Sequence, residues 1–156
     1  MSVVDYQVHE QIGIIWINNP PVNALSSELR NGIHQAVLNA QSDATKALLL
    51  ICKGRTFIAG ADISEFDKPA TKPSFNDILG TIESSSKPVI AAIHGTALGG
   101  GLETALACHY RCAVGSAMVG LPEVKLGLLP GAGGTQRVPR LIGIEAAIKM
   151  ITGGNP

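Results

Sequence analysis

The sequence predicts an α/β fold, and three observations support that class. Short apolar runs of strand length lie at residues 47–52, 89–93 and 110–114. Continuous apolar runs of this length are typical of strands that are buried on both faces of a parallel sheet. Each run leads into a turn that contains glycine, and segments with helical spacing of apolar residues separate the runs. Strands that alternate with helices in this way indicate an α/β domain.

Length and composition limit the function classes. The chain has 156 residues, of which 46% are hydrophobic and 15% charged, so residues 1–156 can form one domain with a substantial core. The 12 basic and 12 acidic residues balance, so charge gives no case for nucleic acid or an acidic membrane as the main partner. Aromatic residues make up only 4%, which argues against a base-stacking platform.

Cysteine use and the two ends of the sequence give expectations about the compartment. Cys52, Cys108 and Cys112 form no spaced framework, which favours free thiols in a reducing compartment. No secretory signal and no apolar stretch of membrane-spanning length is visible. Residues 153–156 predict a turn and carry no peroxisomal tripeptide. We expect a cytoplasmic protein, with a peroxisomal location as the alternative if the full-length protein is eukaryotic.

The first elements are a hairpin and a helix. The β-rich runs at residues 6–9 and 14–18 flank a short turn, which predicts a β-hairpin. Pro20 and Pro21 end the second strand because neither has an amide hydrogen to donate. Ser26 can cap a helix that runs to about residue 39, where apolar residues recur at near-helical spacing.

The rest of the chain continues the alternation. Residues 54–62 are turn-rich and irregular, and the glycine-dense residues 95–101 open a helix at 102–109. We expect the third apolar run, at 110–114, to be a buried strand. The other predicted segments are buried strands at 47–52 and 89–93, a polar loop at 69–73, a helix at 75–84, a short strand at 119–121, a loop at 129–134 and helical stretches near 135–138 and 144–151.

The first candidate site segment is FIAGADI at residues 57–63. Its small side chains would let a ligand approach the backbone, where amide hydrogens could bind an oxygen atom. The alternative is a plain tight turn, and on this segment alone that alternative is favoured because glycine mostly marks turns. Asp62 is expected to be a turn or capping residue.

The second segment is ALGGGLE at residues 97–103. The first amides of a helix have no partner within the helix, and the helix dipole is positive there, so this segment could bind an anion or a developing oxyanion. Glu103 follows Gly100 by three residues and so lies on the same helical face. The alternative is that Glu103 only stabilises the helix dipole. Neither this glycine run nor the one at 131–135 has the full G-x-G-x-x-G pattern or a P-loop lysine, so nucleotide binding is rejected.

The third segment is GLPEVKLG at residues 120–127. Glu123 has apolar neighbours, and burial among them would raise the pKa of its carboxyl group toward a range that suits acid–base catalysis. The alternative is a structural salt bridge from Glu123 to Lys125 or Arg137.

Two further kinds of site are weaker candidates. His109 lies near Cys108 and Cys112, but a second paired cluster is missing, so buried thiols are favoured over a metal site. His94 is expected to be structural. The sequence contains no G-x-S-x-G motif that would support a serine hydrolase.

Together, the order and intervals of these segments resemble the crotonase superfamily over nearly the whole chain. The motifs that carry the resemblance are FIAGADI at 57–63, KPVIAA at 87–92, LGGGLE at 98–103, LPE at 121–123 and PGAGGTQR at 130–137. NPPVNA at 19–24 and CHYR at 108–111 resemble a narrower group, the N-terminal part of the multifunctional β-oxidation enzymes. In that group a hydratase/isomerase module is fused to a 3-hydroxyacyl-CoA dehydrogenase.

The resemblance implies a spiral of repeated ββα units that binds an acyl-CoA thioester. The amides of Ala61 and Gly100 match the family's oxyanion hole. Glu103 matches the glutamate that helps to activate water, and Glu123 matches the one that exchanges a proton with the α-carbon. The family's CoA contacts map to the backbone around four residues, which are Ala59, Gly60, Asp62 and Ile63.

The implied function is reversible hydration of 2-trans-enoyl-CoA to 3-hydroxyacyl-CoA in fatty-acid β-oxidation. Isomerisation of 3-enoyl-CoA through Glu123 is a second expected activity. A relative with another acyl-CoA reaction, such as isomerisation only, is a close alternative, but isomerase-only members often keep just the Glu123 equivalent, so the presence of Glu103 favours hydration. No metal or redox cofactor is expected, because two amides and two carboxyl groups can handle the charge and the protons of this reaction. The coenzyme A belongs to the substrate. The alternative is a catalytically silent acyl-CoA-binding or assembly fragment.

Family modules continue with further helices beyond the point that matches Pro156. The chain is therefore interpreted as a domain truncated at its C-terminal end, with those helices missing. An exposed apolar surface is expected where they would pack, and homo-oligomer formation is a further expectation.

Overall fold

The computed structural model describes residues 2–66, 68–69 and 71–156. Seven strands and five helices lie in these ranges: β1 Val4–His9, β2 Ile12–Ile17, α1 Ser27–Ala40, β3 Ala47–Cys52, α2 Phe75–Glu83, β4 Val89–Ile93, β5 Thr96–Leu98, α3 Gly100–Ala107, β6 Tyr110–Ala113, β7 Met118–Gly120, α4 Gly134–Ile142 and α5 Ile144–Gly153. Short 3₁₀ turns lie at Ile63–Glu65 and Pro122–Leu126.

The strands form two sheets. The larger has the order β1-β2-β3-β4-β6, in which β1 and β2 are an antiparallel hairpin and the other neighbours are parallel. The smaller is the parallel pair β5 and β7. Because parallel neighbours need crossover connections, helices and loops separate their strands, as the sequence predicts.

The main core lies between the larger sheet and the helices that pack on it. Ile15 of β2, Leu48 of β3, and Leu29 and Ile33 of α1 are fully buried in it. A smaller cluster joins α3, α4 and α5 through Leu102, Leu121, Val138 and Ala147. Apolar side chains whose spacing the sequence predicts to be helical therefore face the sheet.

The hairpin, the strands at 47–52 and 89–93, and the helix capped by Ser26 are confirmed. Ser26 Oγ accepts the amide hydrogen of Leu29 at 3.3 Å, which satisfies one of the unpaired amides of the first turn of α1. The loop expected at 69–73 includes residue 70, which lies outside the described residues.

Three expectations need correction. The strand β6 is not buried, with Tyr110 64% exposed, because it forms the edge of the larger sheet and has only β4 as a neighbour. The helix α3 begins at Gly100 rather than at residue 102. The strand β5 was not predicted, since three residues within a glycine-dense segment carry too weak a pattern to show a strand.

The carboxyl ends of β3 and β4 lead into the first two candidate site segments. Carboxyl ends of parallel strands meet at one edge of a sheet, so the two segments lie side by side. The amide of Phe57 donates to the carbonyl oxygen of His94 at 2.9 Å, and the amide of Leu98 donates to Ile58 at 3.1 Å. These bonds join the two segments along their length.

Large apolar side chains are exposed toward the end of the chain. They come from the segment after Glu123 and from α4 and α5, and include Leu126, Leu129, Leu141, Ile144 and Ile148. This agrees with the expected exposed apolar surface, while homo-oligomer formation stays a prediction. No helix in the described part of the chain has the length and apolarity needed to cross a membrane.

Candidate active site

The three candidate segments meet at one cavity of about 260 Å³. Ala61, Gly100, Glu103 and Glu123 all line it. The rest of its wall is mostly loop and α2 residues, namely Phe66, Ser74, Phe75, Asn76, Leu128, Leu129, Gly131 and Ala132. The structure thus brings together the four residues predicted to carry chemistry.

The direction of the Ala61 amide is set by its neighbour across the peptide bond. The carbonyl oxygen of Gly60 accepts the amide hydrogen of Leu25 at 2.9 Å. A trans peptide is planar, so its N–H points away from its C=O. The Ala61 N–H therefore points away from Leu25, and no acceptor for it occurs in the described part of the protein.

The Gly100 amide is the first of α3. Gly99 precedes it with φ +51° and ψ −125°, a backbone conformation that residues other than glycine rarely adopt. The Gly99 amide donates to Gly120 at 2.9 Å, and the Glu103 amide donates back to the Gly99 carbonyl at 2.9 Å. Within the described ranges the Gly100 N–H has no protein acceptor, so it remains available at the positive end of the helix dipole.

Glu103 is 2% exposed, and its carboxylate reaches away from its own helix. Glu103 Oε1 accepts the amide hydrogens of Ala132 at 2.9 Å and of Gly134 at 2.8 Å. Gly134 is the first residue of α4, so the carboxylate stabilises the positive end of that helix rather than that of α3. Glu103 therefore does stabilise a helix dipole, as the alternative proposes, but the helix is α4 and not its own helix α3. Glu103 also lines the cavity.

Glu123 lies in the 3₁₀ turn Pro122–Leu126. Its Oε2 atom is buried and has no hydrogen-bond partner among the described residues. Burial, and in addition the nearby Glu103 charge, raise the pKa of the Glu123 carboxyl above its usual value. A group so placed can be protonated at a pH where an exposed glutamate is charged.

The salt-bridge alternative for Glu123 is wrong. Arg137 pairs instead with Glu83, with Nη2 and Oε1 2.7 Å apart. Lys125 donates to the side-chain oxygen of Asn155 at 2.8 Å. A buried carboxyl group without a cation partner is costly unless it is neutral, which agrees with its raised pKa.

Of the four residues predicted to contact CoA, Asp62 alone lines a second cavity of about 280 Å³. Ala61 and Asp62 line it, and Ala61 is thus shared by both cavities. Ala59 and Gly60 are half-buried, and Ile63 is 68% exposed. Asp62 also caps the turn Ile63–Glu65, since Oδ1 accepts from the Ser64 amide at 3.0 Å, which confirms the capping expectation.

The other sequence candidates have structural partners. Nδ1 of His109 accepts the amide hydrogen of Val89 at 3.1 Å, and Nε2 of His94 lies 3.1 Å from the carbonyl oxygen of Gly54. The three cysteines are unpaired, with Cys52 and Cys108 buried and Cys112 exposed. In the described ranges no group of three or more metal-binding side chains comes together.

Sequence reasoning missed the apolar wall of the site. Phe66 and Phe75 lie many residues before the glycine run at 97–103 in the sequence, so no local pattern shows that they line the same cavity as Gly100. Atoms of the Phe75 ring lie 3.2 Å from where a side chain on Gly100 would begin. Two of the three phenylalanines of the chain line this cavity. The scarcity of phenylalanine is the feature of the sequence that could have pointed to them.

Solved structures share this fold. An enoyl-CoA hydratase from Bacillus anthracis is 34% identical with a TM-score of 0.89, over 99% of this chain and 63% of that one. DspI from Pseudomonas aeruginosa is also 34% identical, with a TM-score of 0.92 over 99% of this chain and 62% of that one. The fold class is therefore that of the crotonases, which confirms the expectation from sequence.

Matches by sequence specify the family. A peroxisomal bifunctional enzyme of Danio rerio is 53% identical over 149 residues, which are 94% of this chain and 21% of that protein. The enoyl-CoA hydratase/isomerase family model matches residues 7–156. This chain belongs to the enoyl-CoA hydratase/isomerase family, and it spans about a fifth of the length of the bifunctional relatives that it matches.

Proposed function

We propose that this chain hydrates 2-trans-enoyl-CoA reversibly to 3-hydroxyacyl-CoA in fatty-acid β-oxidation, and that it also isomerises 3-enoyl-CoA through Glu123. The observation that carries the proposal is the convergence on one cavity of two carboxyl groups and two backbone amides that have no acceptor among the described residues. Membership of the enoyl-CoA hydratase/isomerase family supports the same reaction class.

The amides would act on the thioester oxygen. When water adds to C3 of the enoyl thioester, an electron pair moves through C2 onto that oxygen. The N–H groups of Ala61 and Gly100 would stabilise the resulting negative charge. Loss of one such donor typically costs about 3–4 kcal/mol of transition-state stabilisation.

The carboxyl groups would divide the proton transfers. Glu103, whose Oε1 already accepts two amide hydrogens, would act as the base that takes a proton from water as its oxygen bonds to C3. Glu123, with its raised pKa, would give a proton to C2. For the substrate the sum is addition of H and OH across one double bond, which is redox-neutral. Proton exchange with solvent would then return Glu103 and Glu123 to their starting protonation states.

The isomerase activity would need only one carboxyl group. Glu123 would remove a proton from C2 of a 3-enoyl thioester, the same amides would stabilise the enolate oxygen, and a proton would return at C4. This second activity rests on the position of Glu123 beside Gly99. A Cβ atom placed on Gly99 would lie 3.1 Å from Glu123 Oε1.

The setting of the reaction is part of the proposal. Relatives named peroxisomal bifunctional enzymes favour a peroxisomal location over the cytoplasmic expectation. They also support fusion in the full-length protein, for which a 3-hydroxyacyl-CoA dehydrogenase region would oxidise the product. No resident metal or redox cofactor is proposed, since the substrate brings the coenzyme A group.

The test is the loss of ultraviolet absorbance of the conjugated thioester when crotonyl-CoA is added. We expect turnover by the unaltered chain, little turnover by Glu123→Gln or Glu103→Gln, and full turnover by the control Glu145→Gln. Glu145 is a suitable control because it is 86% exposed in a surface pair with Lys149. Binding of the saturated thioester butyryl-CoA would be measured in parallel by calorimetry.

The outcomes separate the two hypotheses for this chain. Binding of butyryl-CoA without turnover of crotonyl-CoA would favour a silent acyl-CoA-binding fragment over a hydratase. Equal turnover by the unaltered chain and Glu123→Gln would contradict the roles given to the two carboxyl groups.

A further inference from the structure

Asn23 is a buried polar residue outside both cavities. It is 3% exposed and has φ +53°, a left-handed conformation that asparagine tolerates better than most residues. Its position in the segment 22–25, alongside residues 59–61, places it near the backbone that presents the Ala61 amide.

The side chain of Asn23 ties two loops together. Nδ2 donates to the carbonyl oxygens of Lys53 and Thr56, at 3.0 Å each. Oδ1 accepts the amide hydrogen of Asn19 at 2.8 Å. Both Nδ2 hydrogens are therefore used inside the protein, and their acceptors bracket the turn that follows β3.

The backbone on each side of Asn23 pairs with the segment before Ala61. The carbonyl oxygen of Val22 accepts the amide hydrogen of Ala59 at 3.2 Å. The amide of Leu25 donates to Gly60 at 2.9 Å, and Leu25 and Ala61 form a parallel bridge. Asn23 thus lies between the two hydrogen bonds that hold residues 59–61 in place.

The hydrogen bond from the Leu25 amide to the Gly60 carbonyl oxygen decides where the Ala61 N–H points. Because the Gly60–Ala61 peptide is planar, rotation of the Gly60 carbonyl would turn the Ala61 N–H by the same angle. We infer that Asn23 is a positioning residue for the oxyanion hole, which fixes the Ala61 N–H toward the thioester oxygen by holding residues 22–25 against the turn after β3. This inference rests on the proposed function, in that it assigns the Ala61 amide to the thioester oxygen.

The test variant is Asn23→Gly. Glycine adopts φ +53° without strain, so the substitution removes the side-chain amide and keeps the backbone conformation accessible. The control is Thr45→Val, which removes the hydrogen bonds of the Thr45 hydroxyl to Asp43 and from Lys87 at a residue of similar burial, 4% exposed. Thr45 lies just before β3, at the opposite end of the sheet from the cavity.

Two readouts separate positioning from plain stability. The first is the carbonyl stretching frequency of bound butyryl-CoA that carries ¹³C at the thioester carbon, since hydrogen bonds to the oxygen lower this frequency. We expect a downshift with the unaltered chain and with Thr45→Val, and a smaller downshift with Asn23→Gly. The second is hydration of crotonyl-CoA, for which we expect Asn23→Gly to lower kcat on the order of 10²-fold with KM little changed, as for other misplaced catalytic groups.

Each outcome either supports or overturns the positioning role of Asn23. A full downshift with Asn23→Gly would overturn the inference, as would an equal fall of kcat in Asn23→Gly and Thr45→Val. Absence of any downshift with the unaltered chain would overturn it even if crotonyl-CoA is hydrated. Absence of hydration, with a downshift that Asn23→Gly reduces, would reject the proposed function and support the positioning role.

A milder variant covers the case in which Asn23→Gly does not fold. Asn19→Ala removes the hydrogen bond from Asn19 Nδ2 to the carbonyl oxygen of Ala24, at 2.8 Å, and leaves Asn23 intact. We expect a smaller change of the carbonyl frequency in the same direction. An unchanged frequency and kcat would then overturn the inference.

Discussion

Glu103 Oε1 accepts the amide hydrogen of Gly134 at 2.8 Å, so one carboxylate on the cavity wall also holds the first residue of α4. The same oxygen accepts from Ala132 at 2.9 Å. The base proposed for water activation is therefore held rigidly by the loop 130–134. Catalysis and local stability should depend on different atoms of this side chain, because Oε1 accepts both amide hydrogens and Oε2 accepts none from the described residues.

The stability role of Glu103 can be separated from its charge. We expect Glu103→Ala to lower the free energy of unfolding by about 1–3 kcal/mol for each amide that loses its acceptor in a buried position. Glu103→Gln keeps an oxygen at Oε1 and should lose much less. Urea unfolding of both variants measures the difference, and equal losses would contradict the capping role.

Glu123, unlike Glu103, should matter for catalysis and little for stability. Its Oε2 has no partner among the described residues, so Glu123→Gln should cost little stability while it lowers kcat for crotonyl-CoA on the order of 10²–10⁴-fold, the usual contribution of acid–base catalysis. Crotonyl-CoA kinetics and urea unfolding of the same preparation provide the comparison. A large fall in stability with normal kcat would show that Glu123 is structural.

The sequence predicted the parts of the site that depend on local pattern. Gly100 and Glu103 share one helical turn, so their common face follows from helix geometry alone. Glu123 was predicted from its apolar neighbours and from the family resemblance. The meeting of the first two segments follows once β3 and β4 are known to be parallel neighbours.

The parts that were missed depend on contacts between distant residues. The exposure of β6 results from strand order, which no run of apolar residues reveals. The target of the Glu103 carboxylate lies about 30 residues away, so the sequence could suggest only its own helix. Asn23 was noticed only as part of a motif, because its acceptors, Lys53 and Thr56, lie beyond the reach of any local pattern.

The raised pKa of Glu123 predicts a pH dependence of stability. A carboxyl group whose pKa is higher in the folded protein than its usual 4.5 contributes stability that is fully present below the usual pKa and is lost as the pH rises through the folded pKa. Glutamine does not titrate. Glu123→Gln should therefore gain stability relative to the unaltered chain as the pH rises from below 4.5 through the raised folded pKa of Glu123.

Urea unfolding of both proteins across this range measures that difference. Glu145→Gln is the control for the substitution itself, since the Glu145 carboxylate is 86% exposed. A difference for Glu123→Gln that stays flat would contradict a raised pKa in the folded protein.

Gly101 tests how closely α3 must approach the Ala61 loop. A Cβ on this residue would lie 2.0 Å from the carbonyl oxygen of Ile58, a backbone atom that cannot turn aside. Gly101→Ala should therefore push the start of α3 away from the segment 57–61 and separate the two amides of the proposed oxyanion hole. We expect a loss of about 1–3 kcal/mol or more in the free energy of unfolding, as for other overpacked sites, and a fall in kcat.

The matched control for Gly101 is Gly115→Ala, because nothing lies within 4 Å of a Cβ at that position. Gly115→Ala should leave both stability and turnover near those of the unaltered chain. If Gly101→Ala binds butyryl-CoA and hydrates crotonyl-CoA as well as Gly115→Ala does, the spacing between the two amides is not what the site requires. Since Ile58 also accepts the amide hydrogen of Leu98, a shift of α3 should be visible as faster hydrogen exchange of the Leu98 amide in Gly101→Ala alone.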